Sequence, residues 1–456
     1  MRFLVAVVLC LVAAPIWSAT IHVNTLTDEQ TTGSATCSLR EAIRNANSTT
    51  GDLSGGDCVA GEVAAVDTIV FDVTGTIILT IVETPFENFL PPIAAEATAG
   101  ALVLQGPGAG SLAIDGGTSV PELRLLDVAA GARLSVSDLT LTHGGGAGLS
   151  HRGAGLRVQG GVVSVQRVTL SGNLTNQDGG AIAVEGGSVE VSQSTITGNS
   201  GVSISRGGGI FLGGGDLRIT DSEISANNAG GFSGDGGGIG CAGGSIEIAN
   251  STISGNTSAT SGGGLAAVSA TDVRLVNVTV TGNRAPSGGG IGGEGLELHN
   301  SLVAGNTALD GVTPSDCLLP SLPWLANDGN LFGSAGNAAG CPTGNANDVY
   351  PVVSLQQILD PMLADNGGPT STHALVEYSP ALGRANASVC AAAPPGGVGG
   401  VDQRGQIRPP QSCDIGAFEL ASTIEVPTLS PWGIGALAAG LGWLAARRLS
   451  KPRRPS

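Results

Sequence analysis

Between residues 134 and 306 short segments of alternating apolar and polar residues recur: "VTLSGN", "STITGN", "SEISAN", "STISGN", "VTVTGN" and "SLVAGN". They end at Asn173, Asn199, Asn227, Asn256, Asn283 and Asn306, at intervals of 26, 28, 29, 27 and 23 residues. Alternation of period two puts successive side chains on opposite faces, which is the pattern of a strand. Ten and eight residues before each Asn stand Val163 and Val165, Val189 and Val191, Leu217 and Ile219, Ile246 and Ile248, Val273 and Leu275, Leu296 and Leu298. These pairs must face inward. Leu170, Ile196, Ile224, Ile253, Val280 and Val303, three residues before each Asn, mark a second inward strand, and "GGAIAV", "GGGIFL" and "GGGIGC" begin a third. A period of roughly 27 residues thus holds about three strands and three corners, and such a coil buries its apolar face only by stacking on its neighbours. The expected fold is all-β: a right-handed parallel β-helix with capped ends.

Stacked coils align equivalent residues in columns, which sharpens the candidates. Nine positions before the Asn run Ser164, Glu190, Arg218, Glu247, Arg274 and Glu297, alternating in sign. Opposite charges on adjoining rungs attract, so this column reads as an ion-pair ladder, in preference to a binding stripe. Six before the Asn run Asp138, Arg167, Gln193, Asp221, Asn250, Asn277 and Asn300, a corner suited to left-handed backbone and to ladders of stacked amides. Asp178, Arg206 and Asp235 precede glycine runs and raise the idea of a catalytic or calcium-binding pair around an arginine. Because Ser261 and Ser287 continue that column, a solvated corner is expected. Asp365, Asp402 and Asp414 are likewise read as solvated turns, not as calcium ligands. Cys241 shares an inward slot with Val184, Leu212 and Ala267 and is expected to be an inert buried thiol. The five histidines show no metal-ligand spacing. No catalytic residue, metal or cofactor is assigned.

The two termini carry a different chemistry. Arg2, an apolar run over residues 3–14 and the small residues Ser18-Ala19 have the order of a secretory signal. Residues 429–446 are uncharged, and Arg447, Arg448, Lys451, Arg453 and Arg454 follow; this is expected to be a stop-transfer transmembrane helix with its basic end in the cytoplasm. Lys451 is the only lysine. Without Arg2 and the five basic tail residues, 14 arginines face 37 carboxylates, a net charge of −23, which repels phosphate backbones and argues against nucleic acid as a partner. With 74 glycines and 3% aromatic residues, the composition suits an extended repeat better than compact globules.

Exposed strand edges at the ends of a solenoid need covers. In "CSLREAIRNANS", Ser38 and Glu41 form a capping-box pattern, and Leu39, Ala42, Ile43 and Ala46 share one face of a short helix. Residues 37–43 resemble the CSLREA motif near the N-terminus of exported bacterial β-helix proteins. "GNLFG", "LADNGGPTSTHALVEYSPALG" and "DQRGQIRPPQSCDIGAFE", within residues 300–420, resemble the choice-of-anchor Q domain, although "SPALGRANAS" lacks the Asp-Ala-Gly usual after the SPA segment. That family brings an architecture and export, and no catalytic residues. Val426, Pro427, Thr428, Leu429, Ser430, Pro431, Trp432 and Gly433, followed by the apolar and basic stretches, resemble the IPTL-CTERM sorting signal, with Val426 for the usual Ile. The resemblance implies recognition and cleavage by an exosortase, a membrane-embedded transpeptidase.

The organisation expected is therefore a signal peptide (1–19), an N-terminal cap (20–65), the β-helix (66–310), a choice-of-anchor Q-like region (311–420) and the sorting tail with its membrane segment (421–456). With Cys10 in the signal, loop proximity in the caps favours disulfides Cys37–Cys58, Cys317–Cys341 and Cys390–Cys413, although six cysteines admit other connectivities. The leading functional expectation is a non-enzymatic structural or adhesive rod. It would be exported by a Gram-negative bacterium through an inner-membrane intermediate, attached to the envelope or outer surface or secreted, and engage glycan or matrix. The competing expectation is a polysaccharide lyase or glycosidase on the same scaffold. The scarcity of aromatic residues for sugar stacking and of an identifiable carboxylate pair weighs against the enzyme.

Overall fold

A computed structural model describes residues 18–83, 88–117, 123–146, 152–203, 205–232, 234–268, 272–318, 324–326, 329–343 and 345–421. The signal-peptide h-region, the sorting motif at 426–433 and the apolar stretch at 429–446 lie outside the described residues. Among the described residues no helix is long and apolar enough to cross a membrane.

The strands form three long parallel sheets and one short one. The first sheet has 11 strands, from Thr20–Val23 to Leu325–Ala326; the second has 10, from Gly75–Ile78 to Leu331–Phe332; the third has 8, from Leu126–Val128 to Cys317–Leu318. A four-stranded sheet, from Leu174–Thr175 to Thr257–Ser258, edges a fourth side. The stacked strands run beyond the span 66–310 expected for the helix: Thr20–Val23 pairs with Val66–Phe71, and rungs continue to Phe332.

Register follows the repeat residue by residue. Val163 lies beside Val189, Val189 beside Leu217, Leu217 beside Ile246 and Ile246 beside Val273. Leu170, Ile196, Ile224, Ile253 and Val280 stack in the second sheet, and Ile182, Ile210, Ile239 and Leu265 in the third. These side chains are at most 2% exposed. Burying each such aliphatic group contributes about 1.5–3 kcal/mol, and the continuous column supplies the cohesion that a single coil lacks.

The corners explain the polar columns. Asp138, Arg167, Gln193, Asp221, Asn250, Asn277 and Asn300 all adopt left-handed backbone, with φ between 45° and 59°. Within that column one amide pair bonds, Asn300 Nδ2 donating to Asn277 Oδ1 at 3.3 Å, and the continuous amide ladder forms in another column. The terminal Asn column turns inward, and Asn199 Nδ2 donates to Asn227 Oδ1 (3.0 Å), Asn227 Nδ2 to Asn256 Oδ1 (3.0 Å), and Asn256 Nδ2 to Asn283 Oδ1 (2.9 Å). The glycine runs serve close approach: a Cβ on Gly207, whose φ is +69°, would lie 1.9 Å from the Ile210 carbonyl oxygen.

The helix Leu39–Ala46 covers the first coil. Ser38 caps it with a reciprocal Glu41 bond, and Leu39, Ala42, Ile43 and Ala46 join the core containing Ile21 and Ile69. Arg40 is fully buried between Asp28 and Glu83, a cost the apolar pattern alone did not indicate. The cap cysteines form Cys37–Cys58, Cys317–Cys341 and Cys390–Cys413. Past Phe332 the chain does not merely close the far end: residues 370–420 fold back along the flank of the coils between Asp221 and Asn300.

Candidate functional site

The outer face of the first sheet carries the charge column, and its register matches the alternation in the sequence. Ser164 pairs with Glu190, Glu190 with Arg218, Arg218 with Glu247, Glu247 with Arg274 and Arg274 with Glu297. Two of these contacts are ion pairs: Arg218 to Glu247 at 3.0 Å and Arg274 to Glu297 at 3.6 Å. Glu190 is exposed and enters no ion pair among the described residues. Two residues upstream in each strand, Ser188, Asp216, Ser245 and Asp272 form a second in-register column, in which the Ser245 hydroxyl donates to Asp216.

A wall from the C-terminal segment turns this face into a groove. Arg274 donates through Nη1 to the Pro395 carbonyl and through Nη2 to that of Gly396 (3.4 Å), while Val389 and Val398 pack against Ala249 and Val276. The resulting groove, about 500 Å³, is lined by Glu190, Asp216, Arg218, Glu247, Asp272 and Arg274, with Ser188, Ser245 and Pro395 at its sides. Its rungs repeat every ~4.8 Å. It offers hydroxyls, carboxylates and guanidinium groups to a polar polymer lying along the solenoid axis. The sequence pointed to the column as a structural ladder; the wall, some 120 residues away, had no local signal.

The Asp178 corner differs from the solvated one expected. Asp178 is 4% exposed. Its carboxylate accepts from the Arg206 backbone N–H (2.8 Å), and Arg206 Nη2 and Arg152 Nε lie 3.3 and 3.1 Å from it. Both guanidinium groups also cover the buried Phe211 ring, 4.9 and 5.3 Å from its centroid. Fixed between two arginines over an aromatic ring, Asp178 is held as a structural counter-ion. Asp235 instead accepts from Thr260 and Ser261, so the two aspartates do not share one centre.

Asp402 and Asp414 are also not solvated turns. Asp402 is fully buried, paired with Arg404 at 2.7 Å, and accepts from the backbone N–H groups of Arg404, Gln406 and Glu419. Asp414 accepts from Gly383 N–H and Leu420 N–H. The density of Asp, Gln and Arg in "DQRGQIRPPQSCDIGAFE" was the available signal for this buried polar knot. Asp365 remains a turn residue that accepts from Gly367 N–H. Cys241 is fully buried, and burial pushes its thiol pKa up, as befits an inert group. Among the described residues no cluster of His, Cys, Asp and Glu has the arrangement to hold a metal ion.

The family model for the right handed beta helix region matches residues 128–285, the stretch where the three long sheets and both polar columns are in register. The fold is a right-handed parallel β-helix. No curated protein and no solved structure matches the chain. The β-helix scaffold carries both catalytic and non-catalytic proteins, so function rests on the site and not on the fold.

Proposed function

We propose that this β-helix protein is an exported structural or adhesive rod that holds a glycan or matrix polymer in the groove along its first sheet. The observation that carries this reading is the in-register repetition of Glu190, Arg218, Glu247 and Arg274 on adjoining rungs, walled by Pro395. A repeating polymer meets an equivalent polar group at every second rung, about 9.6 Å apart. Individually weak contacts add along its length, and no reacting centre is needed. In the same reading the segment 1–19 directs export. The tail with Val426, Pro427, Thr428, Leu429, Ser430, Pro431, Trp432 and Gly433 passes through the inner membrane and is cleaved by an exosortase, leaving the body at the envelope or outer surface.

The enzyme alternative has one observation in its favour. Glu190 and Glu247 stand two rungs apart, about 9.6 Å between backbones, close to the upper limit for an inverting carboxylate pair. Arg218 lies between them and ties up Glu247, which ranks this reading second.

Both readings meet in one experiment on the purified protein with a panel of neutral, acidic and amine-bearing polysaccharides. The rod reading expects retention of at least one polymer, loss of retention in Glu190→Ala/Asp216→Ala, and no new reducing ends or unsaturated products. Turnover abolished by Glu190→Gln establishes the enzyme, and no binding to any polymer refutes the groove assignment. For the tail, intact mass from strains with and without the processing enzyme decides: Trp432 retained in both contradicts sorting.

A further inference from the structure

The flank where residues 370–420 lie on the coils is a closed polar seam of unequal charge. Asp221 enters from the coils, and Asp402, Asp414 and Glu419 enter from the segment. Two guanidinium groups face them. Arg404 is paired with Asp402; Arg408, 2% exposed, lies 3.1 Å from Glu419 Oε2 and donates to Asn250 Oδ1 at 3.3 Å. Further along the seam Ser371 N–H donates to Glu223, and the His373 ring lies between Ser254 Oγ (2.8 Å) and the Asp360 carbonyl (2.8 Å). Gln403, 1% exposed, bridges both sides: Thr252 Oγ1 donates to its Oε1, and its Nε2 donates to Ser222 O and Thr370 Oγ1. At full ionisation the Asp221 end of the seam would hold four carboxylates against two guanidinium groups, with Asp402, Asp414, Glu419 and Arg408 buried.

We propose that residues 370–420 are a proton-held clasp, closed when the seam's surplus carboxylates share protons and loosened as pH rises, carrying the Pro395 wall away from the groove. Burial, with Asp402 nearby, pushes Asp221 up to about 6. Burial first, and then the Asp414 charge, pushes Glu419 up to about 7. Asp414 moves in the same direction, again chiefly through burial. Carboxylates whose folded pKa lies above the ordinary value bind more protons when the seam is closed. Closure is therefore strongest below the ordinary carboxylate range, near pH 4, and is lost as pH climbs from there through about 6 to 7. His373 works the other way: burial lowers its pKa, so its charging opposes closure on the acid side, as pH falls below the ordinary histidine value. The column supplies a conservative probe, because Asn250, Asn277 and Asn300 occupy the same left-handed corner as Asp221.

Hydrogen exchange of the full chain, corrected for intrinsic rates, tests the clasp whether or not the groove holds a glycan. Between pH 6 and pH 8 peptides over residues 400–420 should lose protection at least about tenfold relative to core peptides over 162–171, which the clasp does not touch. Asp221→Asn and Glu419→Gln should each flatten that slope. Equal relative protection at both pH values overturns the proposal, as does a slope that survives in both variants. If Glu419→Gln does not fold, Asp221→Asn alone decides.

Discussion

Asn256 Nδ2 donates to Asn283 Oδ1 at 2.9 Å, and the Asn256 backbone N–H donates to the same oxygen at 2.9 Å. Its own Oδ1 accepts the equivalent pair from Asn227 (2.9 and 3.0 Å), and its amide also reaches the Ile224 carbonyl. One fully buried side chain thus accepts from two donors on the preceding rung and donates to acceptors on the rungs either side. Asn256→Ala orphans those groups and is expected to cost about 2–4 kcal/mol, since each buried unsatisfied group costs ~1–3 kcal/mol. Urea denaturation measures it; a loss below ~1 kcal/mol would mean that the ladder is not formed.

The ladder ends on an acid. Asn306 donates through its backbone N–H (2.7 Å) and Nδ2 (2.8 Å) to Asp316 Oδ1, and burial pushes Asp316 up to about 7. The folded state then binds more protons than the unfolded one between about pH 4 and 7, so stability falls as pH rises through that window. Asp316→Asn keeps the acceptor and removes the titration. Its melting temperature is expected to fall less between pH 5 and pH 8 than that of the unmodified protein.

At the other end, Arg40 is bound by Asp28 at 2.9 Å, by Glu83 at 2.6 Å and by the Ile81 carbonyl at 2.8 Å. Arg40→Ala strands a buried Asp28 carboxylate and is expected to destabilise by about 3–5 kcal/mol. Adding Asp28→Asn should recover part of that loss; full additivity in a double-mutant cycle would contradict the pairing.

Gln193 sits at a left-handed corner with φ of 50°, outside the flank covered by residues 370–420. An L-residue pays about 1–2 kcal/mol for that conformation. Gln193→Gly is expected to be neutral or to stabilise by up to ~1 kcal/mol, and the β-branched Gln193→Val to destabilise by more than ~1 kcal/mol. Thermal unfolding of the pair checks the sign.

What the sequence displayed was whatever repeats. Inward aliphatics such as Val189 and Ile246, the charge column through Glu190 and Arg218 and the left-handed corners recur once per coil, so each copy corroborates the others. The Ser38–Glu41 cap was legible because its two residues are neighbours in sequence. Asp178 was misread because Ser261 and Ser287 made its column look solvated; Arg206 stood in that column, but the second arginine, Arg152, and the Phe211 ring beneath both carried no periodic signal. The clasp was hidden for the same reason. Contacts such as Thr252 to Gln403 join residues 151 apart with no period to announce them, and the Pro395 wall that turns a flat charge column into a groove depends on that docking.

The central claim, that coils stack one over another in register, is tested most directly by a spin-label distance between Ser135 and Glu247, both half-buried on the outer face of the first sheet and linked through Ser164, Glu190 and Arg218. Four rungs predict a single narrow backbone separation of about 19 Å for residues 112 positions apart. A broad distribution, or a mean beyond ~30 Å, would contradict the stacking and the groove built on it.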